Sequence, residues 1–101
     1  MGSAADPSGH TRLNISGEMT IYTAREWRDR LMGVVERGND IELDLGEVSE
    51  IDGSGLQLLV ALQMELNGAG HSLHMTGVSN KVIEALQFCR LTEFFKDALP
   101  G

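Results

Sequence analysis

The stretch "EIDGSGLQLL", Glu50 to Leu59, sets an acidic turn with two glycines and one serine directly before a run of leucines. Ser54 and Gln57 have the spacing of a capping box, in which a hydroxyl and a side chain three residues on each satisfy a free backbone amide at a helix start. Gly53 and Gly55 would let the turn take backbone angles closed to other residues. Just upstream, "DIELDLGEV" alternates, with Ile41, Leu43 and Leu45 on one face and Glu42 and Asp44 on the other. That period marks a half-buried strand. The order is therefore strand, turn, helix, with Ser54 at the helix start. A capping serine contributes about 1 kcal/mol, which is reason enough for a serine here. A nucleophile and a phosphate acceptor are the other chemistries to weigh.

The nucleophile reading fails on spacing. A hydrolase elbow needs Gly-x-Ser-x-Gly on a strand-to-helix turn. Here Asp52 stands two before Ser54 and Leu56 two after. The histidines are His10 in the N-terminal tail, His71 at the opening of a strand, and His74. His71 and His74, three apart on a strand, point to opposite faces and cannot chelate one ion together. No phosphate-cradling glycine motif is present, and Asp52 would repel a bound phosphate. The sequence predicts no enzyme activity, no metal and no cofactor.

The helix after the turn, expected from Gly55 to about Asn67, carries more apolar surface than one sheet needs. Leu58, Leu59, Leu62 and Leu66 form one stripe at about 100° per residue. Leu56, Val60 and Met64 form a second, leaving Gln57, Ala61 and Glu65 as the polar or small face. The second stripe either packs on the last helices or is a partner surface, where an exposed methionine suits adaptable contacts.

Elsewhere, "RLNISGEM" alternates around Leu13 and Ile15, and Met19 and Ile21 resume the pattern after Gly17 as a bend or second short strand. Thr23 with Glu26 reads as a capping box for a helix ending near Arg37, with Trp27, Leu31, Val34 and Val35 as its buried stripe. "HSLHM" is a further strand, with Leu73 and Met75 inward. Ser79 or Asn80 caps a helix built on Val82, Ile83 and Leu86. "LTEFFKDAL" reads as a last short helix returning Leu91, Phe94, Phe95 and Leu99 to the core. Strands alternating with helices predict an α/β domain with at least partly parallel strands.

The whole chain, 101 residues long, is sized for one domain. Its net charge of -7 disfavours nucleic acid and anionic membranes, which need a basic footprint, and is compatible with a basic protein partner. Cys89 is the single cysteine, so no internal disulfide forms and a reduced, cytoplasmic setting is expected. No apolar run approaches the roughly 20 residues of a membrane span, so direct membrane insertion is not expected. Residues 1–10, "MGSAADPSGH", read as a mobile tail without a secretory or myristoylation signal, and residues 11–101 as the domain.

"LDLGEVSEIDGSGLQLLVAL" resembles the signature of STAS domains, the family of bacterial anti-sigma factor antagonists. The resemblance runs from about Leu13 to Phe95, taking in "LNISGEMTIYTA" and "GHSLHMTGVSNKVIEALQFCRLTEFF". It implies a small mixed sheet of about four to five strands flanked by about four helices, and a regulator that acts by protein–protein binding. In partner-switching members an anti-sigma factor kinase phosphorylates a hydroxyl in the signature loop, and the modified form releases its partner. The usual acceptor directly follows the aspartate, and here that position is Gly53; Ser54 is one further on. Either Ser54 serves as acceptor or the switch is not used. The pattern is also similar to STAS proteins linked to chemotaxis, and more loosely to the STAS subunit of lipid-asymmetry ABC transporters, a scaffold on an ATPase. The expected partner-binding residues are Asp52, Gly53, Ser54, Gly55, Gln57, Ala61 and Met64.

Overall fold

Alternation in three segments builds the sheet. The computed structural model describes residues 10–100; most of the expected tail, residues 1–9, lies outside the described residues. The elements are β1 (His10–Met19), α1 (Ala24–Val35), β2 (Asp40–Ile51), α2 (Gly53–Gly68), β3 (Leu73–Val78) and α3 (Asn80–Phe88). His10, read from sequence as tail, is the first residue of β1.

The strands lie in the order β1-β2-β3, and both pairings are parallel. The expected mixed sheet of four to five strands with four helices is thus corrected, among the described residues, to three parallel strands and three helices. Two readings account for the difference. β1 runs unbroken through Met19, after which Ile21 and Tyr22 enter a turn rather than a second strand. The segment 92–98 winds through turns that mix i→i−3 bonds, such as Ala98 N–H to Phe95 O, with i→i−4 bonds, such as Leu99 N–H to Phe95 O, and is not an α-helix. It still returns Phe95 and Ala98 to the core, and the Ala98 carbonyl accepts a 2.7 Å hydrogen bond from Met75 N–H, covering part of the outer edge of β3. Phe94, expected inside, is 41% exposed.

Parallel neighbours are joined by right-handed crossovers, so α1 and α2 fall on the same face of the sheet. That face buries Leu13, Ile15, Ile41, Leu43, Leu45, Leu73 and Met75. The opposite face carries Arg12, Asn14, Glu42, Asp44, His74 and Thr76, none of them buried. Leu59, Leu62 and Leu66 of α2 are fully enclosed against the sheet; each contributes about 1.5–3 kcal/mol of hydrophobic stabilisation. On α1, Leu31 and Val34 are buried, with Trp27 and Val35 half-buried.

The β1–β2 pairing positions the site. It continues for six residues beyond the last β2–β3 pair, to Met19 opposite Ile51, through two register shifts in which β2 carries the extra residue. Gly17, at the second shift, has a φ of +82°, a left-handed value that glycine takes without steric cost. The end of β2 is thereby delivered beside the end of β1, and α2 starts from that junction.

Candidate functional site

The first residue after β2 is Asp52. Its N–H donates to the Met19 carbonyl at 3.2 Å. Its carboxylate Oδ1 accepts from the N–H groups of Ser54 (2.9 Å) and Gly55 (3.2 Å), while Oδ2 accepts from Ile21 N–H at 3.0 Å. Asp52 is therefore the N-cap of α2, in extended backbone geometry, and the helix begins at Gly53. This corrects the Ser54–Gln57 capping box: Ser54 is the second helical residue, and its hydroxyl makes no hydrogen bond among the described residues. A carboxylate wins the position because it serves two helix amides and the β1–α1 turn at once, which a single hydroxyl cannot do. The Ile21 amide, followed by those of Gly55 and Ser54, holds the Asp52 carboxyl below its usual value against the opposing cost of burial.

The Thr23–Glu26 box is also absent. The Thr23 hydroxyl donates to the Glu18 carbonyl (2.9 Å) and accepts from Thr20 N–H (3.0 Å), with no bond to a helix amide. The hydroxyl is taken up by the turn before α1 and does not reach the amides of the first helical turn. Ser79 does cap its helix, its Oγ accepting from Val82 N–H at 3.3 Å.

The two glycines of the turn differ. A Cβ on Gly55 would collide with the Met19 carbonyl oxygen and lie 2.8 Å from Ile51 Cγ1 and 2.9 Å from Met19 Cβ. Gly55 is the close-approach point where α2 rests on the ends of both strands. A Cβ on Gly53 would meet nothing within 4 Å, and no positive φ holds glycine there.

Four of the seven expected partner-binding residues come together along α2, while Gly55 is buried under the helix start and presents no surface. Gly53, Gln57, Ala61 and Met64 are exposed, and with Leu56, Val60, Cys89 and Leu91 they line an open, mainly apolar groove of about 460 Å³. The second stripe is thus divided: Leu56 is buried, Val60 half-buried and Met64 61% exposed. Ser54 lies on the other side, in a groove between α1 and α2 that also contains Gln57 and Ala61. The surface beside the turn adds Ile21 (68% exposed) and Tyr22 (89%), tied to Asp52 through the Ile21 amide.

Sequence reasoning missed Ile21 and Tyr22, and missed the contribution of Cys89 and Leu91 to the apolar groove. A usable signal for the first pair was two bulky apolar residues between a strand end and a helix-starting threonine. His71 and His74 are not brought together. His71 Nδ1 lies 3.4 Å from Asp40 Oδ1, while His74 is exposed on β3.

Compared with known proteins, residues 3–99 match the family model described as "Mlab, STAS domain". The chain belongs to the STAS family. This STAS domain is 29% identical over 82 residues to the anti-sigma-B factor antagonist of Bacillus subtilis, covering 81% of this chain and 75% of that one. Its fold is similar to the crystal structure of an anti-sigma factor antagonist from Mycobacterium paratuberculosis (TM-score 0.77, 22% identity, 96% of this chain and 80% of that one). It is also similar to the Bacillus cell fate determinant SpoIIAA in its phosphorylated form (TM-score 0.69, 16% identity, 97% and 86%). Among the described residues of this STAS domain, no helix is long and apolar enough to cross a membrane.

Proposed function

We propose that this STAS domain is a non-enzymatic, cytoplasmic regulator that binds a protein partner through the Asp52–Leu56 turn and the exposed face of α2, and that phosphorylation of Ser54 switches the binding. The observation that carries the reading is the division of labour in the turn. Asp52 holds the helix start, so the Ser54 hydroxyl has no structural task and stands half-buried beside the docking face. Phosphorylation would add about -1.5 to -2 charges there, next to Asp52 and in a groove that shares Gln57 and Ala61 with the apolar one, and oppose docking of an apolar partner surface. The partner fitting this reading is an anti-sigma factor kinase, in keeping with the naming of the Bacillus subtilis relative. Incubation with candidate anti-sigma factor kinases and ATP, followed by peptide mapping, tests the idea. One phosphate on Ser54, absent in Ser54→Ala, is expected; no incorporation counts against the switch.

Gly53 favours a second reading. The residue at the family's usual acceptor position has no hydroxyl, and the turn has room for a side chain there. In that reading the domain is a constitutive subunit, on the ATPase of an ABC transporter or in a chemotaxis-linked complex, and binds through the same face without a switch. Affinity for its partner would then be the same before and after treatment with kinase and ATP.

A further inference from the structure

The groove holding Ser54 is lined from the α1 side by Arg25 and Arg28. They are three residues apart and so share one helix face. Neither makes an ion pair among the described residues. The strands are parallel, so α1 and α2 both return against them and start at the same end of the molecule. Arg25 and Arg28 are the second and fifth residues of α1, and Ser54 is the second of α2. Among the described residues the only carboxylate lining this groove is Glu65, eleven residues after Ser54 on α2, about 16 Å along the axis. In a chain of net charge -7, two cations without a carboxylate partner thus converge on the end of the groove where a serine hydroxyl stands without a bond.

We infer that Arg25 and Arg28 form a clamp that holds a phosphate on Ser54 within the α1–α2 groove. The helix end alone is poorly suited to this, since Asp52 already takes the Ser54 and Gly55 amides and adds a negative charge. A phosphate there needs cations to offset it. Guanidinium groups remain charged at all relevant pH and match phosphate oxygens with paired N–H donors. The clamp keeps the modified chain folded and turns the phosphate toward α1, so the altered surface is the α1–α2 groove together with the adjoining docking face. This rests on the reading of Ser54 as the modified residue.

The test uses the full chain with phosphoserine encoded at position 54 during translation, so its outcome does not depend on whether a kinase delivers the phosphate. Phosphorus NMR follows the second ionisation of the phosphate, ordinarily near pH 6, in the folded chain, in concentrated urea, and in the folded Arg25→Gln/Arg28→Gln variant. A clamped phosphate binds its last proton about three- to tenfold more weakly in the folded wild type than in urea. The double substitution removes most of that difference, and about 1 M NaCl narrows it. The same ionisation folded and in urea would overturn the clamp even if the variant failed to fold. A difference that survives the double substitution would overturn it too, because the helix amides rather than the arginines would then hold the phosphate.

Discussion

Replacing Gly55 by alanine puts one methyl group into the junction between α2 and the ends of β1 and β2. The new Cβ meets the Met19 carbonyl oxygen and lies 2.8 Å from Ile51 Cγ1. Overpacking a core typically costs about 1–3 kcal/mol. The upper part of that range applies, because the nearest atom is backbone and also accepts the Asp52 N–H, so it cannot swing aside. Alanine returns up to about 1 kcal/mol through its higher helix propensity. The net loss is therefore about 2 kcal/mol, which for a domain of this length lowers the melting temperature by about 8–16 °C. Gly53→Ala is the control. It has open space, so it leaves stability unchanged or raises it by up to about 1 kcal/mol. Thermal unfolding followed by circular dichroism measures both. Gly55→Ala melting at or above wild type, or both variants falling together, would refute the close-approach argument.

Ser54→Ala should change stability by no more than about 0.5 kcal/mol, since the hydroxyl bonds nothing among the described residues; a loss above about 1 kcal/mol in urea titration would return the cap to Ser54. Ala61→Glu should weaken partner binding while leaving the circular dichroism spectrum and melting temperature near wild type, and unfolding would instead make that face core. Because the native carboxyl of Asp52 titrates below its usual 3.8, its contribution is fully present above that pH and is lost as pH falls through the lowered native value. Asp52→Asn should therefore be less stable than wild type at neutral pH, with the gap closing in acid below about pH 4; a gap independent of pH would contradict the carboxylate's role.

Much of the fold was legible because strand alternation and helix stripes are local signals. "DIELDL" displays its inward face in its own spelling, and Leu58, Leu59, Leu62 and Leu66 are buried as their spacing predicts. The cap of α2 was not legible in that way. Ser54 and Gln57 satisfy the local pattern, but Asp52, two residues earlier, takes the same cap with one oxygen and is held by Ile21 N–H, 31 residues away, with the other. The C-terminal segment misled for a related reason. Leu91, Phe95 and Leu99 recur every four residues whether the backbone forms an α-helix or a series of turns, so periodicity predicted the burial of Phe95 but not the winding. The strand count failed at Ile21, where alternation continues in the sequence after β1 has already turned away from the sheet.

In the proposed switch the turn separates a holding residue, Asp52, from a switching residue, Ser54, beside the docking face. The switch is tested by calorimetric titration of an anti-sigma factor kinase that binds the unmodified chain, compared with chain carrying phosphoserine at position 54. A switch predicts at least about a tenfold loss of affinity on modification, or about 1.4 kcal/mol, with the fold intact by circular dichroism. Equal affinity for the two forms would contradict it.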